Sequence, residues 1–214
     1  MALSIEVTGI VDGGAIPGEF AFCVPAAVGH VAMAPNRNPR VTWRDPPDGA
    51  RSFAILCIDL DAPTDATNVN KEGVTVPASL PRAEFSHWVL VDIPGSATSL
   101  GEGSDSDGVT PKGKPVGPTA HGIRGINDYT SWFAGDPGME GVYGGYDGPC
   151  PPWNDGLIHR YRFTVHALDT GTLGLTGPFT AADARAAMRG HVLDEASVTG
   201  TFTLNPALGA SSGG

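Results

Sequence analysis

The residues best equipped for chemistry in this chain lie at the ends of three apolar rows. Asp59 and Asp61 sit in "IDLDAP", His87 opens "HWVLVDIP", and His159 and Tyr161 open "HRYRFTVHALD". Two carboxylates, two imidazoles and a phenol can hold an anion or move a proton. Side chains alternate across a strand, so Asp59 and Asp61 share a face with Phe53, Ile55 and Cys57. The same count aligns His87 with Val89, Val91 and Ile93, and His159 with Tyr161, Phe163, Val165 and Ala167. Each row departs from apolar character at one end, and a buried carboxylate without a partner is costly. If the three ends meet, these groups share one pocket, and the coincidence of three such departures favours a functional reading. Taken singly, each has an ordinary structural alternative: a hydrogen-bonded core histidine, or an Asp-x-Asp-x-Pro turn closing a strand. A stiff Gly148-Pro149-Cys150-Pro151-Pro152 loop leads toward His159 and would hold its surroundings fixed, although it too serves equally as a rigid turn.

The elements that must position these groups read as mostly β. Thirty glycines and nineteen prolines among 214 residues, spread without a period between apolar runs, predict many turns. Candidate strands cover 3–8, 20–23, 41–44, 52–61, 86–93, 159–168 and 198–204. The good helix is "TAADARAAMRGH", with Thr180 as N-cap and Asp183 completing a capping box. One short helix cannot cover two sheet faces, so the strands must largely cover one another in a sandwich. A single domain over 1–205 with a flexible tail at 206–214 is expected. The connections at 64–85 and 101–148 are long, polar and rich in Gly and Pro, which suits functional loops or tolerated insertions.

Thirteen basic against twenty-three acidic residues give a formal charge of −10, which argues against a nucleic-acid partner. The same field repels small anions, so an anion site needs local positive groups. Cys23, Cys57 and Cys150 lack metal-finger spacing and are odd in number, and they read as reduced thiols. With no basic, apolar start and no membrane-length apolar run, a cytoplasmic protein is expected.

"IDLDAP", "HWVLVDIP", "GINDY" (125–129), "YGGYDGPCPPWNDGLIHRYRFTVHALD" (143–169) and "HVLDEASVTGTFTL" (191–204) together resemble the phosphatidylethanolamine-binding protein family (Raf kinase inhibitor protein-like), its bacterial and archaeal branch most closely. The resemblance implies an all-β Greek-key sandwich with one or two short helices. Its small pocket would bind phosphate or a phosphorylated head group such as phosphoethanolamine. By motif, Asp59 and Asp61 are the acidic pair, His87 the histidine opening the next strand, Gly148 and Pro149 the pocket loop, and His159 with Tyr161 the closing wall. Action as a regulator or inhibitor of a protein kinase or protease, peripheral lipid contact, and a homodimer are also among its implications. In the expected site both histidines donate to an anion, one aspartate favours a protonated imidazole, the other meets an ammonium group, and backbone N–H groups of 148–152 assist. No cofactor, metal or catalytic residue is expected. The rival readings are a hydrolase using the Asp/His cluster, and an interaction module that works through its long loops with a vestigial pocket. Three departures concern the pocket's rim: Leu60 where the family commonly has proline, the long loop after Asp61, and an apparent insertion at 130–142.

Overall fold

The computed structural model describes residues 2–209. Its strands are β1 (Ser4–Val7), β2 (Cys23–Pro25), β3 (Val31–Met33), β4 (Val41–Arg44), β5 (Ser52–Pro63), β6 (Arg82–Pro94), β7 (Ser99–Leu100), β8 (Gly117–Pro118), β9 (Ile123–Arg124), β10 (His159–Leu168) and β11 (Val192–Phe202). Three helices punctuate them: α1 (Tyr129–Trp132), α2 (Ala181–Met188) and α3 (Pro206–Gly209). A six-stranded sheet in the order β11-β10-β5-β6-β9-β8 faces a three-stranded sheet in the order β1-β4-β7. β2 and β3 form a separate hairpin.

Between the two sheets Phe53, Ile55, Phe163 and Val165 of the large sheet pack against Val7, Val41 and Trp43 of the small one, all nearly inaccessible to water. Non-directional apolar burial of this kind drives the sandwich together. The outer face of the large sheet, carrying Ala54, Leu56, Ile58, Val89 and Val91, is covered by Phe179 and by Ala181, Ala184 and Met188 of α2. β5 is thus apolar on both faces because it lies between β10 and β6. α2 begins as its sequence directs: Thr180 Oγ1 accepts from the Asp183 N–H at 3.2 Å, and the Asp183 carboxylate accepts from the Thr180 N–H at 2.9 Å.

Several expectations are corrected. β11 begins at Val192 rather than 198, and β6 at Arg82 rather than 86. Residues 18–20 form a 3-10 turn, and the strand near them runs over Cys23–Pro25. The row containing His87 is not continuous. Leu90 and Ile93 face the inner core while Val89 and Val91 face α2, because the pairing of β6 with β5 shifts register in two places above the site. An extra residue at each irregularity breaks a period-two count. Of the proposed tail, 206–209 form α3 and 210–214 lie outside the described residues.

Cys23 and Cys150 form a disulfide, contrary to the reading of three reduced thiols. They lie 127 residues apart, so local spacing carried no sign of the bridge. Cys57 is the free cysteine, fully buried in the inner core.

Candidate functional site

At one end of the large sheet, Tyr161 on β10 pairs with Asp59 on β5, and Phe85 on β6 lies opposite Asp59 on the other side. Continuing along β6, Ser86 faces Ile58 and Trp88 faces Cys57, which leaves His87 as the inserted residue. The bulge re-aims the His87 ring toward the side occupied by Asp59 and Tyr161. It stands edge-on to the Tyr161 ring at 5.1 Å and to the Tyr129 ring at 5.4 Å.

His87 Nδ1 lies 2.7 Å from the Asp147 carbonyl oxygen. A carbonyl can only accept, so Nδ1 carries the proton and the neutral ring presents a bare Nε2. The Asp147 N–H donates back to the His87 carbonyl at 2.9 Å. Asp147 itself is immobilised, with its buried carboxylate accepting from Lys114 Nζ at 2.7 Å, Asn36 Nδ2 at 2.8 Å and Asn127 Nδ2 at 2.9 Å. Burial lowers the His87 pKa below its ordinary value of 6.5, outweighing the opposing pull of Asp59.

His159 is held differently. Its Nδ1 meets Asp59 Oδ2 at 2.7 Å and its Nε2 meets Asp155 Oδ2 at 3.1 Å. With an anionic acceptor at each nitrogen the ring is favoured as the imidazolium. Burial pulls its pKa down, but hydrogen bonds to Asp155 and Asp59 and their charges outweigh that and raise it to about 9. Asp155 is also gripped by Arg82, at 2.6 and 3.0 Å. Burial alone would raise the Asp155 pKa, yet His159 and Arg82 together hold it below the usual carboxylate value. Three cations, His159, Arg82 and Arg160, therefore balance three carboxylates, Asp59, Asp61 and Asp155.

Asp59, His87, His159 and Tyr161 line one cavity, joined by Phe85 and Tyr129. Its enclosed volume is about 110 Å³, enough for a small group. The Tyr161 hydroxyl is buried and has no partner of good hydrogen-bond geometry among the described residues, the Asp59 carboxylate being its nearest acceptor. Burial and then the Asp59 charge push its pKa far above the ordinary range, so it remains a neutral donor.

The other expected site residues stand back from the lining. The Asp61 carboxylate is taken up by Arg160, through Nε and Nη2 at 2.8 Å each and the backbone N–H at 2.9 Å. Gly148 donates its N–H to Asn36 Oδ1 at 2.8 Å and accepts from the Tyr129 hydroxyl at 2.9 Å. A Cβ on Gly148 would lie 2.0 Å from the Phe20 carbonyl oxygen, so close backbone approach requires glycine there. The Pro149 carbonyl accepts from the Phe22 and Cys23 N–H groups. The loop's contribution to the wall is instead Cys150, Pro151 and Pro152.

Sequence reasoning gave no role to Tyr129, Asp155 or Asp147. Asp155 had a usable signal, an Asn-Asp-Gly turn placing a carboxylate four residues before His159. Tyr129 closes "GINDY" and had none from spacing. Among the described residues no group of three or more His, Cys, Asp or Glu side chains is arranged to hold a metal ion. No helix there is long and apolar enough to cross a membrane.

A two-sheet β-sandwich with a mostly apolar cavity at one end of its larger sheet defines the class of the protein by fold. The chain belongs to the phosphatidylethanolamine-binding protein family, whose model matches residues 7–203. It is 32% identical over 167 residues to a UPF0098 protein of Methanothermobacter thermautotrophicus, covering 78% of this chain and 83% of that one. It is 30% identical over 168 residues to the UPF0098 protein YbhB of Escherichia coli, covering 78% and 82%. Among solved structures, Escherichia coli YbcL, described as a new member of the mammalian family, superposes with a TM-score of 0.67 at 22% identity, over 95% of this chain and 99% of that one. A putative family homologue, CT736 of Chlamydia trachomatis, gives 0.63 at 21%, over 94% and 97%. At such identities the likeness of the structures is one of fold.

Proposed function

We propose that this protein binds a small phosphorylated anion, such as phosphate or phosphoethanolamine, and that binding rather than catalysis is its activity. One observation carries the reading: two residues lining the same cavity each hold a polar atom with no hydrogen-bond partner among the described residues, His87 at Nε2 and Tyr161 at its buried hydroxyl. Buried polar groups are ordinarily satisfied, and an unsatisfied pair in a cavity suits a ligand.

The division of labour differs from two equivalent histidine donors. His159 has both nitrogens committed to carboxylates and so fixes Asp59 and Asp155 rather than donating to the ligand. His87 supplies the ligand contact. Because its free ring is bare at Nε2, a deprotonated anion oxygen bonds there only when the ring is protonated, and binding in that form takes up a proton, whereas a ligand P–OH would donate to Nε2 with no net uptake. The Cys150 N–H, the one backbone donor left in 149–152, donates to no protein acceptor among the described residues and would add a bond. Asp59 retains acceptor capacity for an ammonium group.

Regulation of a protein kinase or protease is the finer expectation. Residues of the 64–80 loop and of α1 frame the cavity mouth, so ligand and protein partner would compete for one face. A cytoplasmic location loses its cysteine argument, since a disulfide suits an oxidising compartment. A relative from Mycobacterium tuberculosis, 29% identical over 200 residues, is named a putative lipoprotein.

Calorimetric titration with phosphate and phosphoethanolamine tests the proposal on wild type, His87→Gln and Tyr161→Phe. Saturable binding in wild type that both substitutions weaken is expected. Absence of binding at millimolar ligand, or binding indifferent to both changes, would overturn it.

A further inference from the structure

The Cys23–Cys150 bridge joins two residues in unlike surroundings. Cys150 is half-buried and contributes to the cavity's lining beside His87, Tyr129 and Tyr161. Cys23 is 4% exposed, takes no part in that lining and belongs to the apolar cluster of Phe22, Tyr129, Tyr143 and Leu204. A small molecule in the cavity thus meets the bridge at Cys150 and not at Cys23. In thiol–disulfide exchange, access decides which sulfur is attacked.

The way in does not depend on unfolding. On one side of the mouth Trp132 is 45% exposed, and α1 is tied to β6 by the Asp128 carboxylate, which accepts from the Ser86 N–H at 2.6 Å. On the other side the 64–80 loop is held by Asn154, whose Nδ2 donates to the carbonyls of Asn68, Lys71 and Val74 and whose Oδ1 accepts from the Asn70 N–H. The two segments that the bridge joins are also held without it. The Phe22 and Cys23 N–H groups donate to the Pro149 carbonyl at 2.9 and 3.2 Å. The His30 ring, at the tip of the β2–β3 hairpin, stacks on Trp153 with 3.7 Å between ring centroids. Breaking the S–S bond leaves these contacts in place, so Cys23 stays beside Cys150 and can close the bridge again.

We propose that Cys150 is a thiol-exchange site, opened from the cavity by a low-molecular-weight thiol. The thiolate of the incoming compound attacks Cys150 Sγ and a new S–S bond forms between the two. The Cys23–Cys150 bond breaks, and the Cys23 sulfur leaves with the electron pair and takes up the proton that the incoming thiol gave up. One disulfide replaces another, so no further oxidant or reductant is consumed. The adduct then stands in an enclosed space of about 110 Å³ beside His87 and Tyr161 and excludes whatever else the cavity holds. Thiol chemistry and occupancy of the cavity are coupled at one residue. The proposal needs only the cavity and the bridge, and is independent of the anion reading above.

Two single variants and the wild type test it. Cys23→Ser leaves Cys150 as a free thiol at the cavity wall, and Cys150→Ser leaves Cys23 within its apolar cluster, with Cys57 buried in both. With 2-hydroxyethyl disulfide as probe and mass spectrometry as readout, Cys150 in the first variant should be modified at least about tenfold faster than Cys23 in the second, as exposed thiols are against buried ones. The adduct should shift the NMR signals of the His87 ring and leave those of His191, which pairs with Asp169 beyond the far end of β10, unmoved. Equal rates, faster modification of Cys23, or an adduct that leaves the His87 signals in place would overturn the proposal. The wild type decides the matter if either variant fails to fold. Native protein treated with 2-mercaptoethanol and quenched with acid should carry its first adduct on Cys150, at a rate proportional to thiol concentration. A first adduct on Cys23, or a rate independent of thiol concentration, would overturn the proposal, the latter because the bridge would then open only when the fold does.

Discussion

His87 and His159 share a cavity, yet their surroundings assign them opposite protonation. The difference makes stability depend on pH in two directions. The raised pKa of His159, from 6.5 to about 9, contributes stability that is complete below about pH 6.5 and disappears as pH rises through about 9. The depressed pKa of His87 acts the other way, with its contribution lost as pH falls below 6.5. Urea denaturation of wild type should therefore show a loss on the order of 3 kcal/mol between about pH 6.5 and 9.5. His159→Gln should lack that slope and be about 3–5 kcal/mol less stable at the lower pH, because Asp59 and Asp155 lose the cation between them. An unchanged alkaline slope in the variant would show that the clamp is not the titrating unit. Tyr161→Phe is a second residue-scale case. Removing a buried hydroxyl with no protein partner should leave stability unchanged or slightly raised, while phosphate affinity falls about three- to tenfold. A clear loss of stability would mean that the hydroxyl has a partner in the unliganded protein.

At the scale of elements, legibility followed regularity. β5 and β10 keep an uninterrupted alternation between Phe53 and Asp59 and between His159 and Ala167, so counting by twos gave the faces of Asp59 and Tyr161, while their pairing is visible only in the fold. β6 interrupts its alternation at His87, and one extra residue moves a side chain to the other face. His87 still reached the cavity, though through a bulge rather than through the row with Val89. The capping box of α2 was local and legible. The anchoring of the 64–80 loop was not, since Asn154 acts on residues about eighty positions earlier and nothing in either segment alone specifies the pairing. Asn154→Ala should accordingly cost about 1–3 kcal/mol and raise hydrogen exchange selectively between residues 66 and 76. Uniform exchange across the chain would contradict its role as the loop's organiser.

At the scale of the whole molecule, the sandwich follows from composition and helix count, because the apolar area of β5, β6 and β10 has too little helix to cover it. The Cys23–Cys150 bridge is a property of the closed fold, joining the β2–β3 hairpin to the loop that forms one cavity wall. Closing so long a loop restricts the unfolded chain, and reduction should lower stability by about 2–5 kcal/mol. Native, unreduced protein should also resist alkylation, since Cys57 is buried, and should gain two reactive thiols on reduction. Labelling without reductant would contradict the bridge. The net charge of −10 offers an anion no general attraction, and the three-to-three balance around His159 offers little more. Affinity must then come from protonation and donors inside the cavity, above all at His87. The decisive measurement is the NMR titration of the His87 ring nitrogens over about pH 5.5–8, with and without saturating phosphate. The account predicts a midpoint below 6.5 in the free protein, a higher midpoint with phosphate, and tighter binding at about pH 6 than at pH 7.5. A midpoint that phosphate does not move, with affinity flat across that range, would contradict it.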